Sequence, residues 1–330
     1  MKKNIFILMM VAAAALAVSC NKTAGVEEPA LAENAISFGT EISTKSTEST
    51  ISTLKSDGFN VIGMHGTDNV FAQHVEGVSW SDTPDAKMGN WKYSAVKYWK
   101  TYGTYEFAAS SKSSVINVAE NSTKMSAQYR MTDCQDDILL AYAKCIMGTT
   151  KPAGYPKVNL NFNHATAAVQ FKIYSKIIDS ELLLFEVRKM VAGGSFVYEG
   201  GNLVWTIGDV DNMNSYLKWT GSLALPLVEA DKVDVFSATR AYANGSNTYT
   251  GSTAMVIPQN LGTQEVHIQV KVGAETIEHT IPLTSSNNKW ESGKKYIYTM
   301  SVEGASIHLI SIVTTKWDEV LGTVEDIVVS

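Results

Sequence analysis

The sequence predicts an all-β protein built from antiparallel β-sandwiches. Apolar and polar residues alternate over short segments such as Val158–Phe162, Val266–Val272 and Lys295–Val302. This period of two is typical of half-buried strands. Connections rich in Ser, Thr and Gly separate the segments, and helix-period runs are few. The best of these runs, Ile177–Met190, fits a strand almost as well as a helix, so the pattern as a whole favours sandwiches.

The first residues have the features of a bacterial lipoprotein signal. Lys2 and Lys3 precede an apolar run over residues 5–18, which is shorter than the roughly 20 residues needed to span a bilayer. Ser19 then stands just before Cys20, so we expect cleavage between these two residues and a lipid on Cys20. A plain secretory signal followed by an incidental cysteine is the alternative. The lipoprotein pattern predicts a protein anchored by lipid to the outer membrane, at the cell surface.

Residues 1–19 are therefore assigned to a signal peptide, and the polar, small residues 20–35 to a flexible tether. The expected strands of the first half are Ile36–Phe38, Phe59–Met64, Trp91–Tyr93, Val96–Trp99, Asp137–Ala143, Val158–Phe162 and Val169–Ile173. Those of the second half are Ser195–Tyr198, Asn202–Ile207, Ala254–Ile257, Val266–Val272, Glu278–Ile281, Lys295–Val302 and Ile307–Val313. Residues 43–53 are mostly Ser, Thr and Glu and are expected to form an exposed loop. We place a boundary near residue 175, which gives domains 36–175 and 176–330.

Composition narrows the classes of partner. Without Lys2 and Lys3, the chain from Cys20 onward has 25 basic and 33 acidic residues, a net charge of −8. Nucleic-acid binding requires a basic face, so no nucleic-acid partner is expected. After lipidation only Cys134 and Cys145 remain, and a disulfide between them is left open. Stability must then come mainly from packing.

Motifs for catalysis are almost absent, and we predict that the protein is not an enzyme and needs no cofactor. Ser215–Lys218 matches the short pattern S-x-x-K, but the companion elements of that catalytic class are missing. Asp209–Asp211 begins like a calcium loop, yet Met213 and Thr220 stand where oxygen ligands are required. We therefore assign no catalytic residue here.

No metal site is expected either. The six histidines show no metal-ligand spacing within a strand or helix; they are His65, His74, His164, His267, His279 and His308. An acidic cluster of Asp133, Asp136 and Asp137 is expected to lie in a solvated loop. These residues are more typical of turns, surfaces and hydrogen-bonded sheet positions than of ligand sets.

Aromatic residues leave a second function open. Trp80, Trp91 and Trp99 lie within twenty residues of one another, and exposed tryptophans can stack on sugar rings. Strand aromatics more often fill a sandwich core, which is the reading we favour. The rival hypothesis is a monomeric, surface glycan-binding lipoprotein of a carbohydrate-uptake system.

Several segments after the lipoprotein signal follow one another in a characteristic order and spacing. They are Ala35–Phe38, Val96–Trp99, Tyr105–Ala109, Asp137–Ala141, Val158–Ala165, Val169–Phe171, Trp290–Tyr296 and Val313–Trp317. In these segments the chain resembles the fimbrillin-like (FimA/Mfa-type) pilins and pilus-associated lipoproteins of Bacteroidetes. Val158–Ala165 is similar to a "V-x-L-x-F-x-H-A" strand of that family, and Trp290–Tyr296 to its "W-x-x-G-K-x-Y" motif. Together they cover most of the mature chain.

The resemblance implies two tandem transthyretin-like β-sandwich domains and a subunit that assembles with other pilus subunits into a surface fibre. In the family a protease cuts the loop after the first strand, and a strand from another subunit fills the groove that opens. Ile36 and Phe38 would belong to the strand that leaves. The candidate donor residues are Val324, Ile327 and Val329, within residues 317–330.

The processing site departs from the family pattern. Cleavage often follows an arginine, but the first arginine here is Arg130, well beyond the loop. Lys45 and Lys55 are the basic residues that a protease could use instead. The sequence leaves open whether the subunit is part of the shaft, the tip or the anchor, and which host or bacterial surface ligand a tip would bind.

Overall fold

The computed structural model describes residues 34–42, 51–100, 102–131, 134, 136–149, 154–209, 217–224, 242–244, 247–249, 253–285, 287–316 and 324–325 of the 330-residue chain. These ranges are almost entirely β-structure, with one short helix, α1 (Ile51–Asp57). The prediction of an all-β fold is confirmed. Among the helical residues described, no segment is long and apolar enough to cross a lipid bilayer.

The strands fall on either side of a short connection at residues 165–166. Those before it are β1 (Phe38–Ile42), β2 (Phe59–His65), β3 (Asp68–Asn69), β4 (Val75–Asp85), β5 (Gly89–Lys92), β6 (Gly103–Ser111), β7 (Ile116–Val118), β8 (Met125–Arg130), β9 (Leu139–Met147) and β10 (Val158–His164). Those after it are β11 (Ala167–Ser175), β12 (Ser180–Arg188), β13 (Gly193–Glu199), β14 (Asn202–Ile207), β15 (Leu217–Ala224), β16 (Tyr242–Asn244), β17 (Asn247–Tyr249), β18 (Thr253–Val256), β19 (Gln259–Asn260), β20 (Glu265–Val272), β21 (Glu275–Pro282), β22 (Lys289–Trp290), β23 (Lys294–Glu303), β24 (Ser306–Lys316) and β25 (Val324–Glu325).

The largest sheet has the order β1-β10-β9-β6-β2-β4-β5, with β3 added to β2. Its two edge strands, β1 and β5, contact each other, so the sheet curls back on itself. The inner face carries the first core, whose largest members include Phe59, Trp91, Phe107 and Phe162. Because side chains of a strand alternate between faces, every second residue of β2, β6 and β10 points into this core.

The other face of the curled sheet belongs to a second core. Ile62, Ala108 and Leu140 pack there with Met125 and Phe196 of the sheet β14-β13-β8-β7. The same apolar cluster continues into the sheets β18-β11-β23-β24-β25 and β15-β12-β20-β21. The sheets therefore pack face to face across shared apolar layers, as in β-sandwiches.

Strand pairing does not follow a division of the chain at residue 175. β7 and β8 share a sheet with β13 and β14, and β11 pairs with β18 and β23. The ambiguous segment Ile177–Met190 contains β12, a strand with a register shift between Leu182 and Leu184. Two of the described pairings, β1–β10 and β11–β23, are parallel, whereas the sequence pattern predicted antiparallel sheets. Both parallel pairs join segments far apart in sequence, which a local pattern does not specify.

The connection between β10 and β11 is fixed by side chains from elsewhere. The Trp205 indole and the Ser292 hydroxyl each donate a hydrogen bond of 2.9 Å to the carbonyl oxygen of Ala165. The Gly293 amide donates to the carbonyl of Thr166 at 2.9 Å. Gly293 has φ of 71°, a left-handed conformation that glycine adopts without strain. This connection is therefore anchored to two later parts of the chain.

A buried hydrogen-bond chain holds the turn that reaches this connection. The Trp290 indole donates to the Tyr298 hydroxyl at 2.8 Å, and that hydroxyl donates to the carbonyl of Thr284 at 3.0 Å. The Glu291 amide in turn donates to the Tyr296 hydroxyl at 3.0 Å. These contacts give the tryptophan, glycine and tyrosine of the Trp290–Tyr296 motif their structural roles.

Replacing Tyr298 with phenylalanine should destabilise the protein by about 1–3 kcal/mol, because the buried Trp290 N–H and the Thr284 carbonyl would lose their partner. Chemical denaturation of the mature chain measures the change. Tyr102→Phe is the matched control, because Tyr102 is 59 % exposed. A loss of stability no larger than that of the control would show that the hydrogen-bond chain contributes nothing.

Glu291 should make stability depend on pH. Partial burial opposes ionisation of this carboxyl, but hydrogen bonds from Lys289, Lys294 and Asn287 outweigh it and lower its pKa from 4.5 to about 2. A carboxyl with a lowered folded-state pKa stabilises the fold above its ordinary pKa, and that stabilisation is lost as the pH falls from about 4.5 towards 2. Glu291→Gln should flatten this part of the curve of unfolding free energy against pH, whereas Glu275→Gln should leave it unchanged.

Candidate functional site: the seat of the first strand

β1 lies at the edge of the curled sheet and has a backbone ladder on one side only. It pairs in parallel with β10, with Phe38 opposite Val158 and Ile42 opposite Phe162. On its other side lies β5, and the link there is a side-chain hydrogen bond of 3.0 Å from the Trp91 indole to the Thr40 hydroxyl. No backbone ladder joins β1 to β5 within the described residues. A strand held in this way can be lost without breaking any other strand pair.

Phe38 occupies the centre of the first core. Its ring centroid lies 5.8 Å from Tyr93, 5.9 Å from Phe107, 6.1 Å from Phe59 and 6.4 Å from Phe71. Three of these four contacts are edge-to-face, a favourable aromatic arrangement. The side chain is 1 % exposed. β1 therefore fills a pocket of the first core, lined by Phe59, Phe71, Tyr93 and Phe107, which we call the seat of β1.

The residues just before β1 are held in place by hydrogen bonds to their backbone. The Trp99 amide donates to the Asn34 carbonyl and the Ile36 amide donates to the Lys97 carbonyl, both at 2.8 Å. The Tyr93 hydroxyl donates to the Ile36 carbonyl at 2.8 Å. Burial raises the pKa of Tyr93 to about 12, so the hydroxyl stays protonated and remains a donor. We call these contacts the entry clamp.

The segment after β1 contains Lys55, one of the two candidate processing residues. It lies in α1, which packs through the buried Leu54 and ends at Gly58, where the Gly58 amide donates to the Leu54 carbonyl at 2.8 Å. The Lys55 ammonium lies 4.0 Å from the centre of the Trp80 ring, a cation–π contact. The expected exposed loop over 43–53 is thus wrong for its last residues, Ile51–Thr53, which belong to this helix.

Several predicted site residues lie outside the described part of the chain: Ser19, Cys20, Lys45, Ile327 and Val329. Val324 is described and lies in β25, where it pairs with Val313 of β24. Ile36 and Phe38 are both buried in the seat. The expected strand Ile36–Phe38 is wrong in its bounds, because β1 begins at Phe38 and Ile36 lies before it. The donor candidate Val324 pairs within a sheet of its own chain.

The short motifs considered for catalysis and calcium binding lie partly outside the described residues. Lys218 forms an ion pair of 3.3 Å with Glu186, and its S-x-x-K partner Ser215 lies outside the described ranges. No group of three or more potential metal ligands is found among the residues searched. Cys134 and Cys145 form no disulfide with each other, and burial raises the pKa of the Cys134 thiol.

The environment of one acidic residue differs from the one that the sequence predicted. Asp137 was expected in a solvated loop, but its side chain is 6 % exposed and lies 2.6 Å from Nδ1 of His164. The expectation was wrong because the partner comes from β10, far along the chain. The pair holds the start of β9 to the end of β10, the strand that carries β1.

Sequence reasoning missed the residues that hold β1 rather than those that form it. Tyr93 and Trp91 donate hydrogen bonds to Ile36 and to Thr40 of β1, while their remaining atoms pack in the core. Tyr and Trp often keep a hydrogen-bonding partner when buried. The aromatic run over 91–99 was a usable signal for this, but it did not identify the partners.

The fold and the seat define a class: an all-β protein whose first strand closes a curled sheet that is otherwise open at one edge. A family model described as fimbrillin-like matches residues 44–317. The chain therefore belongs to the fimbrillin-like family, as its sequence motifs indicated.

Several solved structures are similar to this chain. A candidate cell adhesion protein from Bacteroides uniformis is 14 % identical, with a TM-score of 0.47, over 86 % of this chain and 98 % of its own. A fimbrial assembly protein from Parabacteroides distasonis is 12 % identical, with a TM-score of 0.39, over 81 % and 90 %. A candidate polysaccharide-binding protein from Bacteroides thetaiotaomicron is 11 % identical, with a TM-score of 0.41, over 89 % and 98 %. No curated protein matches the sequence.

Phe38→Ala should destabilise the protein by about 3–5 kcal/mol, because it leaves a cavity among four aromatic rings. Glu41→Ala on the same strand is the control, since Glu41 is exposed and should change stability by less than about 0.5 kcal/mol. Denaturant titration of both variants, with β1 retained, measures the difference. Equal stabilities would mean that β1 does not fill the core.

Proposed function

We propose that this protein is a structural or adhesive subunit of a cell-surface pilus. It is exported as a lipoprotein anchored to the outer membrane through Cys20, and it assembles with other subunits by exchange of the first strand. The single observation that carries this proposal is the seat of β1. β1 has one backbone ladder, and its Phe38 is buried, together with Ile36 just before the strand, in a core formed by other segments.

Loss of β1 would create the two conditions that drive strand addition. The outer edge of β10 would expose unpaired amides and carbonyls, which can template a new strand. Burial of Ile36 and Phe38 contributes about 1.5–3 kcal/mol each, and this stabilisation would be lost with them. An incoming strand that offers two apolar side chains at alternate positions would restore both.

The C-terminal segment offers side chains with that spacing. Ile327 and Val329 are two residues apart, as Ile36 and Phe38 are, so in an extended strand they point to the same face. Val324 is three residues from Ile327 and falls on the opposite face. Since Val324 pairs with β24 of its own chain, we propose Ile327 and Val329 as the donor residues proper.

Lys45 is the better candidate for processing. It follows the end of β1 by three residues, so a cut there would separate β1 from the rest of the fold. Lys55 lies in a helix with its ammonium against Trp80. Proteases take substrates in extended form, so a cut at Lys55 requires local unfolding of α1 first. We therefore assign processing to Lys45.

The glycan-binding alternative receives less support. Trp91, Trp99 and Trp290 are 1–3 % exposed, and none of the described tryptophan side chains is fully exposed. A sugar platform requires accessible rings, so Trp91 and Trp99 do not support one, whereas Trp80 is half-buried and Tyr98 and Tyr102 are exposed.

The test is to express the full chain in a related host and to determine the N-terminal residue and the mass of the form found at the cell surface. We expect a chain beginning at Ser46 in ladders that resist SDS. Lys45→Ala should abolish both the cut and the ladders, whereas Lys55→Ala should leave them intact. A lone monomer with a lipid on Cys20 would contradict assembly by strand exchange and favour an anchor subunit or a glycan-binding lipoprotein.

A further inference from the structure

A basic, aromatic segment interrupts this acidic chain. Residues 86–105 contain four lysines and six aromatic residues and no aspartate or glutamate, although the chain has a net charge of −6. The two nearest acids in sequence before the segment are Asp82 and Asp85. The Asp85 carboxylate accepts hydrogen bonds from the backbone amides of Lys87 and Met88. The segment therefore carries a local positive charge.

Part of this segment forms one exposed surface, which we call the lysine–tyrosine surface: Lys87, Lys97, Tyr98, Lys100 and Tyr102. Tyr98 is 44 % exposed and Tyr102 is 59 % exposed. Lys87 and Lys100 are exposed and Lys97 is half-buried. No ion pair to a carboxylate is formed by these three lysines within the described residues. Within the described residues, the surface thus presents ammonium groups that have no carboxylate partner beside exposed phenol rings.

Hydrogen bonds and ring contacts position several of these side chains. The Lys87 ammonium lies 3.2 Å from the Tyr98 hydroxyl. The Lys100 amide donates to the Tyr105 hydroxyl at 2.7 Å. His65 stacks on Tyr105 at 4.4 Å and lies 5.9 Å from the Tyr102 ring. The fold therefore brings Lys87 beside Tyr98 and sets Tyr102 beside His65 of β2.

The lysine–tyrosine surface lies where the chain enters the fold. Ala35 forms a β-bridge with Tyr98, and the Asn34 carbonyl accepts the Trp99 amide. Between Cys20 and Asn34 are the thirteen residues 21–33. They reach at most about 45 Å when extended, and a flexible chain of this length spans about 20 Å on average. A lipid on Cys20 would keep this end of the fold close to the bilayer.

We propose that the lysine–tyrosine surface docks on the anionic headgroups of the membrane that holds the lipid anchor. The proposal rests on the lipidation at Cys20 contained in the proposed function. Lysine ammonium groups are attracted to anionic lipid surfaces, and tyrosine rings favour the interface between headgroups and acyl chains. The short tether raises the local concentration of the surface at the bilayer, so weak contacts suffice.

Of the neighbouring acids, Asp85 offsets part of the charge of Lys87 and Lys92, and Glu76 is buried. Glu76 is 7 % exposed and accepts hydrogen bonds from the Ser94 amide and hydroxyl, so it faces the interior. Asp85 is the one acid bonded next to Lys87, through the backbone. A neighbouring pilus subunit with an acidic face is the competing partner, and the experiment separates it from the membrane.

The test uses the full, lipidated chain bound to vesicles of phosphatidylcholine, with or without phosphatidylglycerol. Lysine acylation followed by peptide mass spectrometry reports the accessibility of Lys87, Lys97 and Lys100. We expect their labelling rates to fall about tenfold on vesicles that contain phosphatidylglycerol, and to recover at high salt. Lys112, Lys144 and Lys271 are exposed lysines elsewhere and should label equally on both vesicles.

Two triple variants give an independent test of docking. K87Q/K97Q/K100Q should reduce the docked fraction, read as protection of the Tyr98 and Tyr102 region from hydrogen exchange. The charge-matched control K112Q/K144Q/K271Q should not. Replacing three lysines is expected to weaken docking roughly a hundredfold. Unchanged melting temperatures for both variants would exclude a folding defect.

The outcomes distinguish the two proposals. Failure of the chain to float with vesicles, or absence of the lipid mass on Cys20, would overturn the anchor itself. Flotation without protection of the three lysines would overturn docking alone. Protection that depends on protein concentration and appears equally on phosphatidylcholine would also overturn docking, and would assign the surface to contacts between subunits.

Discussion

The hydrogen-bond ladder between β1 and β10 and the insertion of Phe38 into the first core complete the curled sheet. The other strands of that sheet between its edges each have two neighbours, whereas β1 has β10 on one side and a side-chain contact to β5 on the other. Such a strand stabilises the core through its side chains more than through its backbone. In the proposed strand exchange, another strand with the same spacing of apolar residues would replace β1. The backbone hydrogen bonds of the ladder do not depend on side-chain identity, and the pocket accommodates apolar side chains at alternate positions.

β10 also connects β1 to the later strands, since it pairs with β1 and leads directly into β11. Its last residue, His164, is held by Asp137, and the next two carbonyls are held by Trp205, Ser292 and the Gly293 amide. The strand that receives β1 is therefore fixed at its far end by the rest of the fold. Removal of β1 would leave an acceptor edge that keeps its position, which is a requirement for an incoming strand to find the correct register.

The strands that the sequence predicted well, such as β10, β20 and β23, are those in which apolar and polar residues alternate along the chain. β4 was missed because much of it is exposed and it contains Gly77 and Pro84, and α1 was missed because one buried residue, Leu54, cannot show a helical period. The first strand was recognised from Ile36 and Phe38, but its parallel pairing with β10 joins residues far apart in sequence. The seat itself depends on such distant contacts, so its partners Tyr93 and Thr40 could not be found by local pattern. The fimbrillin-like motifs supplied the family, whereas the pairing of β7 and β8 with β13 and β14 had no local signal.

The entry clamp and the lysine–tyrosine surface share the backbone of residues 97–99. Lys97 and Trp99 hold Ile36 and Asn34 through their main chains, and the side chains of Lys97 and Tyr98 belong to the exposed surface. A partner that binds this surface only when the clamp is formed stabilises the form that retains β1, by mass action. By the same linkage, loss of β1 weakens the binding of that partner. If the membrane is this partner, it would stabilise the uncut form that retains β1 while the tether is intact. A cut beyond β1 would then remove both the lipid anchor and the strand that docking stabilises.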